Sequence, residues 1–236
     1  DNPKLDKNEI DMAKKSMSSF AFRQEYMASF EAQGSDIFKE EWIQMSEDEP
    51  DTGDWFVSID MAGFEEAGRK KKTQLDKTAI AIAKVNEDGW WIKDIIYGRW
   101  TFDETTRRIF NIVEEYDPVS VGLEAGIAKQ AIVSPLIDMM RKKNVYFNIK
   151  ELSHGNKNKL NRVVWALQGR FEHDRVTLNY GSWNNHFIDQ LVNFPNSQLH
   201  DDLVDALAYI DQVQVVDVHF EDVDEDYEAL DLVSGY

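Results

Sequence analysis

The sequence WFVSIDMA at residues 55–62 decides the fold class of this chain. It is rich in β-branched, aromatic and apolar residues, which favours a β-strand. Two similar stretches follow, TAIAIAKV at 78–85 and WWIKDIIYGRW at 90–100, and the tight-turn sequence NEDG (86–89) separates them. We therefore predict a three-stranded antiparallel meander, with the polar residues 63–77 as a long turn between its first two strands.

The chain beyond the meander alternates between helical and extended patterns as far as residue 216. The predicted order is helix 102–116, strand 119–125, helix 129–143, strand 145–152, helix 157–171, strand 174–178 and helices 183–194 and 201–214. A meander followed by β-α-β units implies an α/β fold, in which a mixed β-sheet of antiparallel and parallel strands is flanked by helices on both faces. Functional groups in such sheets gather at the carboxyl ends of the parallel strands.

Composition excludes several classes of protein. The 236 residues include 42% hydrophobic ones, enough for a sizeable core, and no cysteine, so disulfides and thiolate metal sites are excluded. No apolar run approaches the roughly 20 residues that a membrane helix needs, so we expect no membrane partner.

The net charge of −18 is unevenly distributed. Residues 1–54 carry fourteen acidic and six basic groups, residues 217–236 carry eight acidic groups and no basic one, and residues 55–216 are nearly balanced, with 22 and 20. We predict an N-terminal segment, a central domain and an acidic C-terminal tail with these bounds. Because the central domain is nearly neutral, the overall charge does not exclude a nucleic-acid partner.

Five carboxylates of the central domain occupy unusual positions. Asp60 lies inside the first predicted strand and Glu124 ends the fourth, where an isolated carboxylate is costly to bury unless it is paired or bound to metal. Asp201, Asp202 and Asp205 lie at the start of the last predicted helix, where positions 202 and 205 share a face.

Four of these five carboxylates also have an ordinary explanation. Asp60 is compatible with a turn, Asp201 with an N-cap, and Asp202 and Asp205 with a favourable interaction with the helix dipole. Carboxylates from three separate elements would, however, repel one another if they met without a cation. A set of oxygen ligands suits Mg²⁺ or Mn²⁺, and two such ions about 4 Å apart can activate water and stabilise the leaving oxygen of a phosphodiester. Whether the three elements meet stays open here.

The motifs SIDMAG, LDKTAIAI, VGLEAG and HDDLVDALAY, in this order, resemble the C-terminal nuclease domain of the large terminase subunit of tailed bacteriophages. The segments GNKNKLNRVVWALQGRFEHDRVTL and LVNFP resemble that family's basic helix with the following strand and its aromatic–proline stretch. The resemblance covers roughly 55–216, and residues 8–40 look like the segment that joins the family's ATPase domain to its nuclease.

The resemblance implies a ribonuclease-H-like fold and a two-metal site for Mg²⁺ or Mn²⁺. It implies Asp60, Glu124 and Asp202 as catalytic metal ligands, with further metal contacts from Asp201, Asp205 and Asp76.

Basic residues near this site are expected to contact the DNA backbone, although a solvated surface is the ordinary explanation for each cluster. They are Arg69, Lys70, Lys71 and Lys72 in the turn and Lys157, Lys159 and Arg162 on a helix and its approach.

The implied function is a hydrolase, a metal-dependent endonuclease that cleaves concatemeric double-stranded viral DNA during genome packaging. The expected partners are the portal, the small terminase subunit and the ATPase domain, in the host cytoplasm and transiently at the procapsid portal. The chain has no G-x-x-x-x-G-K-[ST] motif, so the ATPase is expected to be absent from it. Residues 1–54 are then expected to be the segment that joins the nuclease to that ATPase. The fragment is expected to be monomeric.

Two kinds of alternative stay open. One is another nuclease, a Holliday-junction resolvase or a ribonuclease H. The other is a non-catalytic docking module of the packaging motor, which the acidic flanks favour because they repel DNA.

Overall fold

The computed structural model describes residues 10, 12–13, 17, 22, 37–61, 77–153, 159–196 and 200–215, and in 127–130 the backbone alone. Within these residues, seven strands form one sheet. They are β1 (Gln44–Met45), β2 (Asp54–Asp60), β3 (Thr78–Val85), β4 (Trp90–Gly98), β5 (Ser120–Glu124), β6 (Asn148–Leu152) and β7 (Val176–Leu178).

The order of strands across the sheet is β1-β7-β4-β3-β2-β5-β6. Strands β2, β3 and β4 form the predicted antiparallel meander. Strands β5 and β6 extend the sheet in parallel on the β2 side, and β7 and β1 extend it in parallel on the β4 side. The prediction of a mixed sheet is therefore confirmed.

The helices of the described residues follow the predicted order. They are α1 (Phe102–Tyr116), α2 (Ile127–Lys143), α3, α4 (Asn184–Val192) and α5 (Asp202–Val213), and a 3-10 turn at Glu40–Trp42 precedes them. Helix α3 is α-helical over Lys159–Val163, π-helical over Val164–Gln168 and α-helical again over Gly169–Glu172. None of these helices is long and apolar enough to cross a membrane.

The two faces of the sheet are covered by different helices, and β3 shows how the sequence separates them. Its isoleucines at 80 and 82 pack with α1 and α2, whereas its alanines at 79, 81 and 83 pack with α3, α4 and α5. Alternation along a strand places these two sets on opposite faces. The prediction of helices on both faces is confirmed.

Helix α5 lies against the small side chains of the sheet. The buried hydroxyl of Ser58 in β2 donates a hydrogen bond to the Ala206 carbonyl at 2.6 Å. At Gly122 in β5, an added Cβ would come within 2.4 Å of Cγ2 of Val213, so the helix passes close to the strand backbone. This close packing holds the first turn of α5 beside the ends of the central strands.

The predicted boundary between residues 54 and 55 falls after the first residue of β2, and β1, which precedes it, belongs to the same sheet. Ile37 and Phe38, which precede β1, are 4% and 2% exposed and belong to the core on the α5 side. Most of residues 1–36, nearly all of the long turn and the acidic tail 217–236 lie outside the described residues.

Candidate active site

Asp60 and Glu124 end two neighbouring parallel strands. Ile59 of β2 is paired with Leu123 of β5, so the residue that follows each of them lies at the same edge of the sheet. The backbone N–H of Met61 donates to Oε2 of Glu124 at 3.4 Å, which places this carboxylate beside the end of β2. This is the position at which open α/β sheets hold functional groups.

Helix α5 brings two more carboxylates to this edge. Asp202 and Asp205 are 8% and 3% exposed, although they lie in the first turn of the helix. Oδ2 of Asp202 accepts a hydrogen bond from the backbone N–H of Lys77, the residue before β3, at 3.3 Å. Because β3 runs antiparallel to β2, its start lies at the end of β2 that carries Asp60.

The electrostatics of Asp60 show that the four carboxylates converge. Burial raises the pKa of Asp60 well above its ordinary value, and the negative charges of Asp205, Glu124 and Asp202 raise it further. Like charges raise the pKa of a carboxyl group only when they are near it. Carboxylates from two strands and one helix therefore meet at a single place.

Two basic residues of α3 neutralise Asp205. NH2 of Arg162 donates to Oδ1 of Asp205 at 2.5 Å, and Nζ of Lys159 lies 2.5 Å from Oδ2. NH1 of Arg162 donates to the Tyr209 hydroxyl at 2.6 Å, and the guanidinium lies 4.3 Å from the centre of the same ring. Burial raises the pKa of Asp205 above its ordinary value, although these two cations oppose that effect.

Lys159 also contacts Asp201, at 2.6 Å. Burial of the ammonium disfavours its charged form, but Asp205 and Asp201 outweigh that effect and raise the Lys159 pKa. Asp201 occupies the N-cap position of α5 without a side-chain cap hydrogen bond. Oε1 of Gln190 in α4 instead accepts from the backbone N–H of Leu203, so a side chain from another helix caps α5.

The structure thus brings together seven of the predicted site residues, namely five carboxylates and two basic residues. Asp205, Glu124 and Asp202 lie near enough to Asp60 to raise its pKa, and Asp205 together with Asp201 holds Lys159. Arg162 is buried against Asp205 and Tyr209, so its predicted contact with DNA stays a prediction. The remaining predicted residues lie outside the described residues: Asp76, Lys157, Arg69, Lys70, Lys71 and Lys72.

The donor chemistry of Asp60, Glu124 and Asp202 fits a hard divalent cation, because all the donors are carboxylate oxygens. The repulsion that raises the pKa of Asp60 is of the kind that a bound cation relieves. In the described part of the chain, no three Asp, Glu or His side chains are grouped closely enough to hold one ion as they stand. Coordination of an ion by this set would therefore require rotation of the side chains.

Three residues near the site were not singled out from the sequence: Lys77, Gln190 and Tyr209. A signal was present for Tyr209, which lies four residues after Asp205 and therefore on the same face of the helix. Gln190 and Lys77 act through contacts between distant parts of the chain, which no local pattern indicates.

Comparison with known proteins connects this arrangement to one family. The model of the family described as "Terminase RNaseH-like domain" matches residues 66–211. No curated protein matches the chain by sequence.

Solved structures share the fold at low identity. The large terminase of the thermophilic bacteriophage D6E is 11% identical, with a TM-score of 0.61 over 89% of this chain and 52% of that one. The human cytomegalovirus terminase nuclease domain, manganese-soaked and inhibitor-bound, is 11% identical, with a TM-score of 0.51 over 75% and 93%. The G20c phage terminase nuclease with bound magnesium is 13% identical, with a TM-score of 0.50 over 76% and 95%. This chain therefore spans about half the length of the D6E protein.

Proposed function

This chain belongs to the family of terminase RNase H-like domains, and we propose on that premise that it is a metal-dependent endonuclease that cuts concatemeric double-stranded viral DNA during genome packaging. The observation that carries the proposal is the convergence of Asp60, Glu124 and Asp202 at one edge of the sheet. The descriptions of two structural neighbours, one with bound magnesium and one soaked in manganese, support the use of a divalent metal.

We assign Asp60, Glu124 and Asp202 to the binding of two Mg²⁺ or Mn²⁺ ions. When bound, such ions activate the attacking water and stabilise the leaving oxygen of the phosphodiester. The three carboxylates come from strand ends and from the first turn of a helix packed closely on the sheet, so their backbones are rigidly placed. Rigid placement of the groups that hold the reacting atoms lowers the cost of reaching the transition state.

We assign Asp205 to a different role, the anchoring of positive charge. Both of its oxygens are engaged by cations, Oδ1 by Arg162 and Oδ2 by Lys159. The Lys159 side chain is 50% exposed, so its ammonium lies at the solvent-exposed edge of the site, where a backbone phosphate of DNA can reach it. The predicted metal contact of Asp76 and the predicted DNA contacts of Lys157 and residues 69–72 remain part of the proposal.

The test is cleavage of supercoiled plasmid by the full 236-residue chain with Mg²⁺, Mn²⁺, Ca²⁺ or EDTA. We expect cutting with Mg²⁺ or Mn²⁺ that disappears with EDTA and in Asp60→Asn. A matched control is Asp94→Asn. Asp94 is also a strand carboxylate whose pKa is raised by burial, but it lies in β4 and interacts with Tyr116 of α1, on the opposite face of the sheet. This variant should cut as the wild type does.

Absence of metal-dependent cutting by the wild-type chain would contradict the proposal and favour a docking role in the motor. A panel of substrates separates the proposed activity from its nearest alternatives. Faster cutting of a four-way junction than of linear duplex would indicate a resolvase, and selective cutting of an RNA–DNA hybrid would indicate a ribonuclease H. The proposed partners are the portal, the small subunit and an ATPase domain.

A further inference from the structure

A second group of side chains lies beside the carboxylates, namely Lys77, Tyr97 and His186, which we call the Lys77 cluster. The rings of Tyr97 and His186 are stacked, with their centres 5.4 Å apart and their planes 3° from parallel. Nζ of Lys77 lies 4.9 Å from the centre of the Tyr97 ring and 3.5 Å from Nε2 of His186. One cation and two rings are thus grouped on three elements that are distant in sequence.

The register of the sheet places this cluster next to the candidate active site. Asp60 is paired with Ala79, and Ala79 is paired with Tyr97. Residues directly opposite one another on neighbouring strands point to the same face, so Tyr97 and Asp60 share a face at a distance of roughly 10 Å, two strand spacings. Lys77 borders the site directly, because its backbone N–H donates to Oδ2 of Asp202.

The groups around the Lys77 ammonium differ from those around the Lys159 ammonium. The Lys159 ammonium is held by the carboxylates of Asp201 and Asp205. Among the described residues, no carboxylate lies within ion-pair distance of the Lys77 ammonium, whose contacts are an imidazole nitrogen and an aromatic ring. Its positive charge is therefore not neutralised by a carboxylate of these residues, and His186 beside it is exposed to solvent.

We propose that the Lys77 cluster holds the phosphodiester backbone of the DNA strand next to the phosphate that is cut. The inference rests on the proposed nuclease function. A cation beside accessible rings is the combination that proteins use to hold a nucleic-acid strand irrespective of its sequence, and here the His186 ring is exposed and the Tyr97 ring is half-buried. Lys77 then adds a phosphate contact to the one proposed for Lys159, which offsets the repulsion between an acidic site and DNA.

The experiment measures binding separately from cleavage. The full chain is titrated into a short fluorescein-labelled DNA duplex with Ca²⁺, and anisotropy is followed over a range of salt concentrations. Lys77→Gln removes the charge and keeps most of the side chain over Tyr97. We expect this variant to weaken binding about fivefold and to lower the slope of log affinity against log salt by about one, the value for one lost phosphate contact.

Three further variants test whether the effect belongs to this cluster. His186→Ala should also weaken binding, and Lys77→Arg should bind within about twofold of the wild type because the phosphate contact depends on charge. Lys84→Gln is the matched control. Lys84 also lies over an aromatic ring, 5.4 Å from the centre of Trp55, but at the opposite end of β3. Its replacement should leave DNA binding unchanged.

Two results would overturn the inference: unchanged binding in Lys77→Gln, or an equal loss in Lys84→Gln. The melting temperatures of all variants show whether a loss of DNA binding reflects unfolding instead. If Lys77→Gln is unfolded, the comparison of His186→Ala with Lys84→Gln decides. Failure of the proposed function has a different signature. If the wild-type chain binds DNA through Lys77 but never cuts it with Mg²⁺ or Mn²⁺, the DNA contact of the Lys77 cluster is supported and the proposed nuclease function is contradicted.

Discussion

The Asp205 carboxylate accepts a hydrogen bond from the Arg162 guanidinium at 2.5 Å, and the two side chains are only 4% and 8% exposed. A buried ion pair of this kind adds little net stability, because the transfer of both charges out of water is costly. Removal of Arg162 is different, because the buried Asp205 charge then keeps only the Lys159 ammonium as its partner. The pair therefore makes α3 and the first turn of α5 depend on each other.

Replacement of Arg162 by Met should lower the free energy of unfolding by about 3 kcal/mol, the lower end of the range for a broken buried pair, because Lys159 still contacts Asp205. Urea denaturation followed by circular dichroism measures this loss. The control is Lys143→Met, which breaks the exposed pair of Lys143 with Glu114 and should cost less than about 1 kcal/mol. Similar losses in the two variants would show that burial of the Asp205 pair has no energetic consequence.

Replacement of Asp60 by Asn should stabilise the metal-free protein at neutral pH. Burial, followed by the charges of Asp205 and Glu124, raises the pKa of Asp60 in the folded state above its unfolded value of about 3.9. The folded state therefore binds more protons between these two values, and the free energy of unfolding falls as pH rises through that window. The Asp60 carboxyl group therefore makes the fold less stable at neutral pH than at acidic pH, and the Asn side chain, which does not titrate, removes this effect.

We expect Asp60→Asn to gain about 1 kcal/mol at pH 7, or roughly 2–4 °C in melting temperature, and much less near pH 4. Thermal melts in EDTA at the two pH values measure the difference. Asp88→Asn, at an exposed turn position, should change neither melting temperature. A wild-type protein that is more stable than Asp60→Asn at pH 7 without metal would show that the Asp60 charge is already compensated.

The parts of this structure that local patterns encode were predictable from the sequence. The alternation in TAIAIAKV places alanines on one face of β3 and isoleucines on the other, which is the layer arrangement of the domain. The resemblance of the ordered motifs to a known family predicted the fold. In that fold β2 and β5 are parallel neighbours, and this pairing brings together Asp60 and Glu124 at the strand ends.

Contacts between distant segments were not predictable. Strand β1 has two residues and exists because it pairs with β7, which follows it by more than 130 residues. The role of Arg162 depends in the same way on Asp205 and Tyr209, since the sequence shows only a basic helix beside an acidic one. No local pattern indicates the pairing of Arg162 with Asp205, and its predicted contact with DNA stays a prediction.

Replacement of Gly122 by Ala should destabilise the domain by displacing α5 from the sheet. The new Cβ would lie 2.4 Å from Cγ2 of Val213 and 2.8 Å from Cδ2 of Leu152, closer than packed atoms can approach. Overpacking of this kind costs about 1–3 kcal/mol. In urea denaturation, a second substitution, Val213→Ala, should recover part of the loss, and a double variant less stable than Gly122→Ala would contradict this explanation.

The aspartates at the start of α5 should differ in metal binding, although Asp201 and Asp202 are adjacent. Asp202 is buried and contributes to the raised pKa of Asp60, whereas Asp201 is held by Lys159 at the N-cap position. A ligand that binds only the folded state at 100 times its Kd stabilises that state by about 2.7 kcal/mol. Thermal melts with Mn²⁺ should therefore show this gain in the wild type and in Asp201→Asn, but not in Asp202→Asn or Glu124→Gln. If Asp201→Asn alone lost the stabilisation by Mn²⁺, the metal contact would belong to Asp201 and not to Asp202. Lys159 would then have to leave Asp201 before a metal could bind.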